Sequence, residues 1–168
     1  LWLGFIIASF CACMSYLPSH EAQHGNYSRG NPKKKWIDRF VGSFTLITLI
    51  YPYEILRVTH MKHHAHTNNE DKDPDFITSN ANSVKEVILC SLDGTSTDYA
   101  KYKDIYADDA AFQKAFDKGV NVFLAYRLIL MILVLLFPLQ TLLLWWLPAK
   151  IGVVYTTLFF SYYPHVGT

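Results

Sequence analysis

The sequence predicts an all-α integral membrane protein whose transmembrane helices carry a helical cap on the cytoplasmic side. Hydrophobic residues make up 51% of the 168 residues, and they concentrate in three runs instead of recurring periodically as in a soluble domain. The histidines crowd into the polar segments beside these runs. The net charge of +1 gives no electrostatic basis for binding nucleic acid. The length fits one domain, residues 1–168. Because the chain starts inside one apolar run and stops just past another, we expect it to be incomplete at both ends.

The first element is expected to be a span over residues 1–18. The run LWLGFIIASFCACMSYL carries no charge, and its 17 residues are at the short limit for a helix that crosses a bilayer. Arg29 and the lysines at 33–35 follow closely, and basic residues beside a span favour its cytoplasmic end. Residues 19–39 are therefore predicted to be cytoplasmic. We favour a topological anchor as the role of these lysines over a docking patch for an acidic protein.

The second apolar run, residues 40–53, is expected to lie at the membrane surface without crossing. It has only 14 residues and includes Gly42 and Pro52, a length that suits an interfacial or re-entrant segment. A crossing would also place the histidines before it and after it on opposite sides of the bilayer. Residues 57–118 are then cytoplasmic as well, and the stretch DDAAFQKAFDKG within them predicts an amphipathic helix.

The third run, residues 120–163, is too long for one span and fits two. The turn between them is expected either at LPAK, residues 147–150, or near Pro138. We favour LPAK, because a lysine is costly in the middle of a membrane and Lys150 would then lie at the far surface. Two crossings return the chain to the cytoplasmic face just before His165.

The histidine spacing predicts a metal site. His20 and His24 are four residues apart, and His60, His63 and His64 stand at i, i+3 and i+4, so each set shares one face of a helix. Imidazole suits Fe, Cu, Zn or Ni. The stretch HEAQH also fits the zinc-hydrolase pattern H-E-x-x-H, but such a site would leave the second cluster unexplained. A non-catalytic structural metal and a set of surface histidines are the remaining alternatives.

The neighbours of the second cluster are predicted to have lesser roles. His66 lies on a different helical face from His60 and His64, so it is expected either to support a ligand or to be solvated. Aspartates 71, 73 and 75 could orient imidazoles by accepting their second N–H, or could form a solvated acidic turn. The three cysteines do not form a disulfide or zinc pattern and are read as inert thiols.

These motifs resemble those of the membrane fatty acid desaturase superfamily. SHEAQHG looks like its first histidine box, H-x-x-x-H, and THMKHHAHTN is similar to its second, H-x-x-H-H. DKDPDF, directly after, resembles the branch that holds bacterial desaturase-like proteins and the carotenoid hydroxylases and ketolases. The order of elements also matches over nearly the whole chain. No H-x-x-H-H follows residue 64, so the third box of the family is absent from this sequence.

The resemblance implies a non-haem centre of two iron ions on the cytoplasmic side, with O2 as co-substrate. It implies a lipid substrate and an electron donor such as a ferredoxin or a cytochrome b5-like protein. Fatty acyl desaturation is the expected reaction, with a carotenoid ring hydroxylase or ketolase as the alternative. No catalytic residue beyond the metal ligands is expected. The ligands carried over from the boxes and from the position after the last span are His20, His24, His60, His63, His64 and His165.

Overall fold

The computed structural model describes residues 1–165, and this part of the chain is helical without strands. The bounds of its helices are α1 Trp2–Gln23, α2 Lys35–Leu46, α3 Tyr53–His66, α4 Phe76–Ser79, α5 Val84–Asp93, α6 Tyr99–Ile105, α7 Ala110–Leu136, α8 Pro138–Thr141 and α9 Leu147–Thr156. Short 3-10 turns cover Pro32–Lys34, Ile47–Leu49 and Tyr163–His165, and π-helical segments cover Leu142–Trp146 and Thr157–Tyr162.

Three helical stretches are long and apolar enough to cross a membrane: Trp2–Gln23, Ala110–Leu136 and Pro138–His165. They agree with the predicted spans in number and order, and their crossing of a membrane stays a prediction. The last stretch is continuous from α8 through α9 to His165, because the π-helical segments join its parts without a break. The first stretch extends past residue 18, so His20 stands on the final turn of α1 rather than in a loop.

The favoured position of the last turn was wrong. Helix α7 ends at Leu136 and the next helix begins at Pro138, so the chain reverses at Phe137, whereas residues 147–150 lie within the last span. Proline suits this position because it lacks an N–H and starts a helix readily. Lys150 is accommodated within this stretch because its amine donates to the Leu92 carbonyl at 2.8 Å. That carbonyl ends α5, where the helix dipole favours a cation.

Residues 35–49 run alongside α1 and stop about halfway along it. The Leu49 side chain reaches Gly152 in α9, and Ala12, midway along α1, lies against the same glycine. Ile50 then adopts a left-handed conformation, with φ of 55°, which reverses the chain toward α3. The indole N–H of Trp145 donates to the Ile47 carbonyl at 2.9 Å, which satisfies one acceptor that the end of the helical segment leaves free. This geometry fits a re-entrant segment, and its failure to cross stays a prediction.

Close packing holds α3 against its neighbours and so fixes the position of its histidines relative to those of α1. The Tyr53 hydroxyl donates to the Ala22 carbonyl near the end of α1 at 2.9 Å, and the Tyr53 ring lies over Gly42 of α2. On the other side of α3, Ile55 packs against Gly119 of α7. The predicted amphipathic helix forms the first turns of α7, and its phenylalanines are buried with the tyrosines of α6. Helix α3 is therefore fixed between α1, α2 and α7.

Candidate metal centre

The end of α1 and the middle of α3 bring four histidines together: His20, His24, His60 and His64. One nitrogen from each lies within 4.8 Å of the others. The spacing of four residues on each helix places both members of a pair on one face, and the contact of Tyr53 with Ala22 puts the two faces opposite each other. The structure therefore unites histidines that are 36 residues apart in the chain.

Three of these imidazoles point their Nε2 atoms at one another. The Nε2 atom of His60 lies 3.1 Å from that of His24 and 3.1 Å from that of His64. A neutral imidazole has one donor and one acceptor nitrogen, so three converging nitrogens cannot all be satisfied by hydrogen bonds among themselves. A cation at their centre would satisfy all three, and the donor set therefore fits a metal that prefers imidazole.

The electrostatics keep these rings in the form that binds metal. Burial, reinforced by the neighbouring imidazoles with His20 first, lowers the pKa of His60 to about 2. Burial followed by a neighbouring imidazole also lowers the pKa of His24 and of His64. All three are neutral near pH 7, and a neutral imidazole has a nitrogen lone pair to donate.

His63 lies on the edge of this cluster with a different set of partners. Its Nδ1 donates to Asp73 Oδ1 at 2.7 Å, and its ring meets that of His165 with centroids 5.0 Å apart. Burial alone would lower the pKa of His63, but the hydrogen bond to Asp73 and the charges of Asp75 and Asp73 raise it. With Nδ1 engaged, Nε2 is the nitrogen left for a metal. This arrangement of carboxylate and imidazole is typical of metal ligands.

Of the three aspartates, Asp73 is the one that orients an imidazole. It is completely buried, and its carboxylate also accepts from the backbone N–H groups of Asn68 and Asp75, both at 2.9 Å. The Tyr102 hydroxyl donates to its carbonyl. Asp71 is exposed, and its backbone N–H donates to the Asn69 side chain at 3.1 Å. The acidic turn is therefore structured around one carboxylate.

His66 and Glu21 lie outside the convergent set. His66 packs against the ring of Tyr106 at 6.3 Å, as its place on another helical face predicts. Glu21, the would-be base of the hydrolase pattern, accepts from Asn26 and lies 3.2 Å from His20 Nδ1. The four imidazoles would occupy all four coordination positions of a tetrahedral zinc ion and would leave none for the water that a hydrolase needs. The geometry therefore disfavours the zinc hydrolase.

A cavity of about 90 Å³ lies close to the histidines. The spacing of residues in the sequence did not predict this cavity, which we call the inner cavity. The rings of Tyr16 and Phe160 pack on His20, with centroids 5.9 and 5.8 Å away, and both line this cavity. Tyr16 stands one helical turn before His20, a signal that could have identified it. The position of Phe160 depends on a π-helical segment, which shifts the helical register. Asp75 also faces this space, and its removal from water raises its pKa to about 6.

Comparisons with known proteins agree with the resemblance. The family model described as fatty acid desaturase matches residues 1–168. The sn-1 oleoyl-lipid 12-desaturase of Picosynechococcus sp. is 36% identical over 58 residues, which are 34% of this chain and 16% of that protein. The chloroplastic omega-6 fatty acid desaturase of Arabidopsis thaliana is 34% identical over 67 residues, 40% of this chain and 13% of the relative.

A third relative, the sn-1 acyl-lipid omega-3 desaturase (ferredoxin) of Nostoc sp., is 25% identical over 79 residues, 47% of this chain and 21% of that protein. The matches thus span less than a quarter of each of these relatives. No solved structure matches this chain. The family match nevertheless covers the whole sequence, including both histidine pairs and the described spans. The chain belongs to the fatty acid desaturase family.

Proposed function

We propose that this protein is a membrane oxidoreductase that desaturates the fatty acyl chain of a lipid, using two histidine-bound iron ions and O2. The observation that carries the proposal is the cluster of four converging histidines, with the pair His63 and His165 at its edge. The names of the relatives support an acyl substrate over a carotenoid, because those relatives are acyl-lipid or fatty acid desaturases.

The division of the histidines supports two metal positions. Four imidazoles would hold one ion, and His63 and His165 would contribute to the second, for which the family resemblance implies further histidines. Bound iron would supply the oxidising power that acid–base side chains lack. In the overall reaction, two hydrogens leave adjacent carbons, and with two further electrons and two protons they reduce one O2 to two waters.

The residues of the chain position the metals and the substrate. Asp73 holds the ring of His63 in a fixed orientation through Nδ1. One part of the lining of the inner cavity is apolar, formed by Leu49, Val153 and Phe160, and such a surface suits a hydrocarbon chain. The three candidate spans would place this site at a membrane face, which we take to be cytoplasmic, within reach of lipid chains.

Metal analysis and lipid profiling test this function in the full-length protein. We expect about two iron ions per chain in the purified protein, bound through imidazole. Cells that express the protein should gain acyl chains with an additional double bond. Stoichiometric zinc without iron would contradict the iron site. Oxidised carotenoids without new acyl double bonds would support the alternative substrate.

A further inference from the structure

We propose that an acidic one-electron carrier protein docks on a basic cleft that opens beside His24. The basic cleft is lined by His24, Lys35, Arg39 and Arg57, and it has a volume of about 460 Å³. Lys33, Lys34 and Arg29 are exposed on the neighbouring loop. The inference rests on the proposed function, because desaturation with O2 needs two electrons in addition to the two that the substrate supplies.

Among the residues that the structure describes, carboxylates neutralise only part of the positive charge of this surface. Residues 22–53 contain five lysines and arginines and one acidic residue, Asp38. Asp38 is buried, and its carboxylate accepts from the backbone N–H groups of Tyr27 and Ser28, both at 3.1 Å. Glu54, the acidic residue of the cleft wall, already pairs with Lys118 and lies 3.9 Å from Arg39. A surplus of positive charge therefore faces outward.

The cleft brings this positive charge next to the candidate metal centre. His24 lines the cleft and, at the same time, lies 3.1 Å from His60 through Nε2. Its ring is also 4.9 Å from that of His64, between centroids. An electron delivered at the cleft would thus arrive one imidazole away from the proposed iron. In each encounter the reduced carrier would lose one electron to the site, and two encounters would supply the two electrons of the reaction.

A lipid anchor explains the lysines but not the rest of this surface. Anionic headgroups would attract Lys33 and Lys34 beside a span. They give no reason for Arg57, which lies on α3 one turn before His60, or for a cleft that a histidine lines. Charged surfaces steer partners of opposite sign and raise association rates about 10- to 1,000-fold. Redox complexes also form small contacts, which an open cleft of this kind can provide.

The test measures ferredoxin binding and ferredoxin-driven desaturation by the full-length protein in nanodiscs of neutral lipid. Lys33→Glu combined with Lys34→Glu changes the loop, and Arg57→Gln changes the cleft. We expect each to weaken ferredoxin binding about tenfold or more at low salt and to flatten its salt dependence. The ratio of the ferredoxin-driven rate to the rate with dithionite, a small reductant, should fall in parallel. Lys85→Glu on α5, an exposed lysine outside the cleft, is the control and should leave the ratio unchanged.

The outcomes separate the docking surface from the proposed function. Unchanged binding in both variants would overturn the docking surface. A loss that occurs only in anionic lipid, and is absent in neutral nanodiscs, would identify the loop as a lipid anchor and overturn it equally. Because binding is measured apart from oxidation, a protein that binds ferredoxin through these residues but forms no double bond would support the docking surface while contradicting the proposed function.

Discussion

Asp73 ties the acidic turn to the candidate metal centre through a direct hydrogen bond to His63. Its carboxylate accepts a hydrogen bond from His63 Nδ1 at 2.7 Å and a second from the Asn68 N–H at 2.9 Å. The first bond fixes the tautomer and the ring plane of the imidazole, and the second holds the carboxylate in place. A change at Asp73 should therefore act through His63 rather than on the substrate.

His63→Ala in the full-length protein should abolish lipid oxidation, whereas His66→Ala should leave substantial activity. His63 stands beside the cluster and meets His165, while His66 packs on Tyr106 away from it. Loss of a ligand opens a position at the metal that water would fill. Profiling the lipids of cells that express each variant measures the difference. Equal behaviour of the two variants would refute the ligand assignment within this stretch.

Asp73→Asn should lower activity about 10- to 100-fold, the usual effect of losing a partner that orients a metal ligand. An amide retains the size of the side chain but no longer favours the N–H of His63 as its donor. Iron content measured together with the rate separates weaker metal binding from a misplaced ring. Asp71→Asn is the matched control, since Asp71 is exposed in the same turn. An Asp73→Asn protein with full iron and full rate would refute the positioning role.

At the scale of elements, glycines decide how closely the helices approach. Gly152 of α9 lies where α1 and the segment after α2 meet, and a Cβ there would sit 2.5 Å from Leu49 Cδ2 and 2.9 Å from the backbone of Ala12. The leucine could shift, but the backbone of α1 could not without moving the whole helix. Since α1 carries His20 and the last span carries His165, this contact links both parts of the proposed centre.

Gly152→Ala should destabilise the full-length protein by about 1–3 kcal/mol, as expected for overpacking of a close contact. The reason is the short approach to the Ala12 backbone, which an added methyl group would force apart. Thermal unfolding of the detergent-solubilised protein measures the loss. Ile151→Ala, on the exposed side of the same helix, is the control and should have a smaller effect. A Gly152→Ala protein as stable as the original would show that the two helices can separate freely.

Patterns that depend on one helix were predictable from the sequence, and contacts between distant segments were not. The i, i+4 spacing predicted that His20 and His24 share a face, and the structure brings them together with His60 and His64. The turn near Pro138 was one of the two predicted positions, and it was not favoured because the partner of Lys150, the Leu92 carbonyl, is 58 residues away in the chain. The inner cavity was missed because π-helical register, which places Phe160, has no simple signature in the residue pattern.

At the scale of the whole molecule, the proposed topology places both histidine pairs on one side of the bilayer. The first span ends at the histidines, and the last span returns to them at His165. In this proposed topology residues 35–49, which stop about halfway along α1, do not cross the bilayer, and residues 19–118 then stay on one side. The reversal at Phe137 then lies at the opposite end of the last two spans.

Cysteine labelling in intact vesicles tests this topology. In a protein whose native cysteines are replaced by serine, Lys34→Cys and Lys72→Cys should react from the same side, because no crossing separates them. Leu139→Cys, next to the reversal, should react from the other side. Labelling of residues 34 and 72 from opposite sides would contradict both the topology and the shared metal site.

Four of the candidate ligands lie within residues 20–64, whereas His165 lies near the end of this sequence, and this separation implies an order in which the two proposed iron positions form. Every member of the four-histidine cluster has been synthesised once residue 64 is made, whereas His165 comes about a hundred residues later. Closing a shorter loop costs less chain entropy, so the first ion position can form before the last spans have inserted. Protein made under iron limitation should therefore accumulate a form with one iron, held by the four histidines and visible by native mass spectrometry. A population with none or two, and no intermediate, would mean that the two positions fill only together.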